Sequence, residues 1–79
     1  MKARVHVTLK PGVLDPQGAA IGQALSTSGF DGVSAVRQGK VFEIDLEGTD
    51  AASAQAQVDE MCRKLLANTV IESYTVEMG

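Results

Sequence analysis

The chain has 79 residues, with 7 Lys and Arg against 10 Asp and Glu and a net charge of −3. That length gives one small domain of thin intrinsic stability, a margin that many such domains recover by oligomerising. One Tyr, two Phe and no Trp on an acidic chain offer neither the cationic field nor the stacking rings of a nucleic-acid binder, no apolar run reaches the roughly 18 residues of a membrane span, and a single cysteine, Cys62, excludes an internal disulfide and fits a reducing cytoplasm.

Residues 2–10 alternate, with Ala3, Val5, Val7 and Leu9 on one side and Lys2, Arg4, His6, Thr8 and Lys10 on the other. This is the pattern of a half-buried strand, not of a signal peptide or transit helix. Pro11-Gly12 ends it. Asp15 then reads as a helix N-cap with Pro16 at the first helical position and Leu14 as a hydrophobic staple. Ile21, Ala24, Leu25 and Ser28 mark the stripe expected to be buried. Gly29 is the left-handed cap, with Phe30 folding back over the last turn. Gly18 and Gly22 weaken this helix and leave room for a close backbone neighbour.

Residues 33–37 read as a short strand, 37–40 as a hairpin turn with Gly39 supplying a positive φ, and 40–47 as a strand with Phe42, Ile44 and Leu46 on one face. Thr49 or Asp50 caps a second helix, whose stripe is Ala54, Val58, Met61, Cys62 and Leu65. Asn68 is a left-handed stop. Residues 70–78 form a last strand with Tyr74, Val76 and Met78 aligned. The order βαββαβ predicts an α+β fold of ferredoxin-like type, an antiparallel sheet with two helices on one face.

Little here can run a reaction. Cys62 sits in a helix stripe and reads as a small buried hydrophobe. His6 is solvated or at an interface, with no partner for base catalysis. Glu43, Asp45 and Glu47 share a strand face that reads as solvated rather than as a cation site. Gly12, Gly18, Gly22 and Gly29 lack the spacing of a phosphate loop. No catalytic, cofactor-binding or metal residue is expected.

The string Leu9-Lys10-Pro11-Gly12-Val13-Leu14-Asp15-Pro16-Gln17-Gly18 resembles the opening motif of the PurS family, small subunits of phosphoribosylformylglycinamidine synthase. Gly29-Phe30, Val36-Arg37-Gln38-Gly39-Lys40, Met61-Cys62-Arg63-Lys64-Leu65-Leu66-Ala67-Asn68, Val70-Ile71-Glu72 and Tyr74 extend the resemblance along the whole chain. Thr69 replaces a usual proline, and residues 48–57 are richer in Ala and Ser than usual. The resemblance implies a single PurS-like domain, 1–79, acting as a non-catalytic subunit of a cytoplasmic ATP- and glutamine-dependent ligase of purine synthesis. It implies a homodimer, with tetramers possible, that bridges a glutaminase subunit and a large synthetase subunit and supports ammonia transfer. ATP and Mg belong to the large subunit, and this chain carries no cofactor. The expected partner-facing residues are Lys10, Pro11, Gly12, Asp15, Arg37 and Lys40. The competing class is an ACT-like small-molecule-binding regulatory domain; an acyl-phosphate hydrolase needs an arginine in the loop 10–18, which holds only Lys10 as a cation.

Overall fold

A computed structural model describes residues 1–48 and 50–79. The elements in chain order are β1 (Lys2–Leu9), α1 (Pro16–Thr27), β2 (Gly39–Asp45), α2 (Ala51–Met61) with a π-helical turn, Cys62–Leu66, and β3 (Glu72–Met78). The sheet order is β2-β1-β3, and β1 is antiparallel to both neighbours. The α+β class and antiparallel sheet follow the expectation.

The alternation in β1 makes it central. Val5 lies opposite Phe42 on one side and Val76 on the other. Ala3, Val5 and Val7 are fully buried together with Val58 and Cys62, so α2 covers the middle of the apolar face. The opposite face is wet. Arg4 stands between Glu43 and Glu77, 3.7 and 3.6 Å away, and Lys2 is 3.6 Å from Glu43. These half-exposed pairs set register more than stability. Glu43 is thus flanked by two cations and stays more than half exposed.

Asp50 caps α2 by accepting from the Ala52 amide at 3.2 Å; Thr49, the other candidate, lies outside the described residues. Tyr74 donates its hydroxyl to Asp59 Oδ1 at 2.6 Å while Arg63 binds the other oxygen, pinning α2 to β3. Both contacts hold the Asp59 carboxyl below the usual range, Tyr74 first.

Four local expectations are corrected. Residues 33–37 form no strand, because Val36 lies against α1 rather than beside a sheet edge: a Cβ on Gly18 would collide with the Val36 carbonyl oxygen, and one on Gly22 would touch Val36 Cγ2 at 3.5 Å. The close neighbour anticipated from these glycines is this segment. Gly39 is not a hairpin turn; it lies within β2 without a positive φ, and a Cβ there would meet Val7 O at 2.8 Å. Leu65 is 84% exposed, not buried. The π turn inserts one residue into the helical period, so Leu66 takes the place under the core and Leu65 swings outward. Asn68 keeps a negative φ; it stops the helix through its side chain, which accepts from the Val70 amide at 3.1 Å.

Cys62→Ser should destabilise the chain by about 1–3 kcal/mol in denaturant titration, and the native thiol should label only on unfolding. Leu66→Ala should cost about 1–3 kcal/mol while Leu65→Ala stays within about 0.5 kcal/mol, a contrast that a continuous α-helix would reverse.

Candidate functional site

Lys10-Pro11-Gly12-Val13 is a β-turn closed by the Val13 amide donating to Lys10 O at 3.1 Å. Proline at the second position and Gly12 at φ 88° at the third give the type II form. Lys10 reaches across to the β3 approach, its amide donating to Ile71 O at 2.9 Å and its Nζ to Thr69 O at 2.8 Å. Arg37 Nη1 donates to Val13 O at 3.0 Å and Nη2 to Lys10 O at 3.2 Å. Its guanidinium therefore holds the loop from outside. Lys40 lies 5.5 Å from the Phe42 ring centroid and 3.9 Å from Glu72, half exposed. Because β1 ends where β2 and β3 begin, all of these residues gather at one end of the sheet.

Asp15 is the exception among the expected partner-facing residues. It is 6% exposed, and both carboxylate oxygens are occupied: Oδ1 accepts from the Gly18 amide at 2.8 Å and Oδ2 from the Gln38 amide at 2.7 Å. The Gln38 and Gly18 amides, with the Arg37 charge behind them, hold its carboxyl below the usual range. Asp15 therefore ties α1 to the approach of β2 and presents nothing to a partner. Pro11, Gly12, Arg37 and Lys40 are exposed and Lys10 is half-buried.

The carboxylate tie fixes an arm. The α1 helix ends in a Schellman motif, with Gly29 at φ 98° and the Phe30 amide donating to Leu25 O at 3.1 Å. Its apolar stripe does not reach the sheet. Gly18 is the only buried residue of α1, while Ile21 is 43%, Phe30 59% and Leu14 79% exposed. The expected burial of the Ile21, Ala24, Leu25 and Ser28 stripe and the Leu14 staple is therefore not met within one chain. The helix packing on the sheet comes from α2. Between α1 and residues 33–37 runs an open cleft of about 630 Å³ lined by Val13, Leu14, Ala19 and Val33 among others.

Sequence reasoning missed the apolar group Leu65, Val70 and Ile71, which are 84, 80 and 40% exposed around the turn that Lys10 grips. The Leu65-Leu66 pair was the available signal, since either leucine continues the stripe. Chemically the site binds rather than reacts. Burial, followed by the Asp59 charge, pushes the Cys62 thiol up and away from nucleophilic use. Among the described residues no three His, Cys, Asp or Glu side chains gather as a metal site, and no helix is long and apolar enough to cross a membrane.

Comparison with known proteins bears on this surface. Residues 2–79 match the family described as PurS, phosphoribosylformylglycinamidine (FGAM) synthase. The chain is similar to the phosphoribosylformylglycinamidine synthase subunit PurS of Synechocystis, at 55% identity over 95% of this chain and 75% of that one. The Bacillus subtilis PurS structure superposes with TM-score 0.86 at 49% identity, covering 96% of this chain and 94% of that one. A chain of the PurLQS structure from Thermotoga maritima gives TM-score 0.88 at 30% identity over 96 and 93%.

The Asp15 tie generates a pH test. A carboxyl whose folded pKa is depressed stabilises the fold fully above its unfolded value near 3.9, and this contribution is lost as pH falls through the lower folded value. Asp15→Asn should lower the melting temperature at pH 7 by about 4–8 °C, and the gap from the parent chain should close as both are melted at pH values from 4 down to 2. A gap independent of pH would show that charge at Asp15 is immaterial.

Proposed function

The chain belongs to the PurS family, and on that premise we propose that it is the small, non-catalytic subunit of a phosphoribosylformylglycinamidine synthase in purine biosynthesis. The observation that carries this reading is the match to a chain of the PurLQS structure, a PurS in the company of further subunits. The enzyme is a glutamine-dependent ligase. One partner is the glutaminase subunit, which releases ammonia. The other is the large subunit, which binds ATP and Mg, activates the amide oxygen and adds the ammonia. This chain holds the two together as a homodimer in the cytoplasm, without a cofactor of its own.

The physical case for a contact role is direct. Free ammonia protonates and disperses in bulk water, so producer and consumer work best when enclosed together. The end of the sheet carrying Lys10, Pro11, Gly12, Arg37, Lys40 and the exposed Leu65, Val70 and Ile71 combines apolar anchors with a cationic rim, the composition of a protein interface. Arg37 and Lys10 keep this end rigid through their backbone contacts, so that binding costs little ordering. Nothing in the matches supports the small-molecule regulatory alternative.

In a reconstituted three-component mixture, omitting the chain should lower glutamine-dependent synthesis by roughly tenfold or more and leave synthesis from added ammonium salts nearly intact. Lys40→Glu should lower only the glutamine-dependent rate, by roughly 2–10-fold. Initial rates with each nitrogen donor at matched ATP make the comparison. Equal losses with both donors would mean that the chain shapes the synthetase site itself, and no loss with either would remove the bridging role.

A further inference from the structure

The carboxylate of Asp59 joins two elements that together shape the end of the sheet. One oxygen accepts from the Tyr74 hydroxyl of β3 at 2.6 Å, the length of a charge-assisted bond, and the other binds Arg63 inside the π turn. We infer that Asp59 is a positioning residue: by holding β3 and the π turn at once, it sets the rotation of the helix so that Leu65, and not Leu66, stands on the partner-facing end of the sheet, an inference that rests on the subunit reading above. In a continuous α-helix, at about 100° per residue, Leu65 would fall about 20° from the buried Val58 and Leu66 about 80° from it. Leu65 would then point inward. The structure has the reverse, with Leu65 84% exposed and Leu66 packed against the core. Turning Leu65 inward would take from this end the most exposed of its three apolar anchors, leaving Val70 and Ile71.

The reversed phase is held from both sides, and β3 supplies both holds. Glu72 and Tyr74 are two residues apart on the strand, so their side chains share one face, and both are half-buried. Tyr74 takes Asp59 in the last turn of α2. Glu72 accepts from the Asn68 amide at 2.7 Å, and its own amide donates to Asn68 O at 2.7 Å. Between these ties the π turn closes, with the Ala67 amide donating to Cys62 O at 3.0 Å. The two bonds of Asp59 differ in weight. Its pair with Arg63 spans one helical turn with both side chains well exposed, and such pairs add little. The Tyr74 bond is part-buried and runs to a charged acceptor, which makes it the stronger. The same bond pushes the Tyr74 hydroxyl up, so that it stays a donor. Without the Asp59 charge the α-helical phase, with Leu65 inward, loses its main competitor.

Two measurements on the full chain test this. In the first, Leu66→Cys is labelled in chains that keep Cys62, with and without Asp59→Asn. With Asp59→Asn, the thiol at position 66 should label at least roughly tenfold faster than without it, and at least roughly tenfold faster than Cys62 in the same molecule. In the second, the chain is titrated into the reconstituted three-component mixture. The concentration that half-saturates glutamine-dependent synthesis should rise roughly 3–10-fold for Leu65→Ala and by a similar factor for Asp59→Asn. It should rise no further for the two together, because Asp59 acts through a side chain that is already gone. Tyr74→Phe keeps its ring in the core and loses only the hydroxyl; it should reproduce both shifts if Asp59→Asn fails to fold. Labelling of position 66 and Cys62 in step would show that Asp59 serves overall stability alone, and overturns the inference. Factors that multiply in the double variant, or a half-saturation unmoved by Asp59→Asn, overturn it while leaving the subunit reading intact. A parent chain that gives no rise in the glutamine-dependent rate removes the subunit reading and the inference with it.

Discussion

A single buried carboxylate governs the shape of this chain. Asp15 binds the amide of Gly18 in the first turn of α1 and that of Gln38, 23 residues beyond Asp15 itself, at the approach to β2. The rest of the arm follows from that clasp. Once Gln38 is drawn to the helix start, the segment before it must run along α1, and Val36 comes so close that position 18 has no room for a side chain. Arg37 is then left facing the loop carbonyls of Lys10 and Val13, which it binds. The clasp, the Val36 contact and the Arg37 bonds together hold residues 33–38 beside α1, where the generic two-helix arrangement would have a strand.

That dependence explains how much was legible in the sequence. The strand alternation of β1, the Pro11-Gly12 turn, the Asp15 cap and the Gly29 stop are local, and each was visible in residue type and spacing. Residues 33–37 were not. Their valines favour a strand, but pairing is decided by where the chain can run, and a tertiary contact overrode propensity. Leu65 failed for a related reason: a π turn shifts the helical phase by one residue, and two consecutive leucines read equally well in either phase. Arg37 was singled out as a charge for a partner, yet its guanidinium serves the loop backbone first. Asp15 was visible as a cap, while its second oxygen, on Gln38, had no sequence signal at all.

The strings that carry the family resemblance fall where the fold makes its least generic demands. Leu9 to Gly18 encodes the type II turn, the clasp and the glycine under Val36; Met61 to Asn68 encodes the π turn and the side-chain stop. Those demands shape two surfaces, a charge-poor arm and a cationic sheet end with exposed leucine, valine and isoleucine. An inert buried thiol and two such surfaces suit a chain that acts by contact, as the proposed subunit role requires.

The central claim is that α1 stands off its own sheet. Small-angle scattering from the chain at a dilution where sedimentation shows a single copy tests it most directly, because a second copy is then absent. The account predicts a radius of gyration near the 16.0 Å of the single chain; a value of roughly 12 Å, that of a compact chain of 79 residues, would show α1 folded onto its own sheet and contradict it.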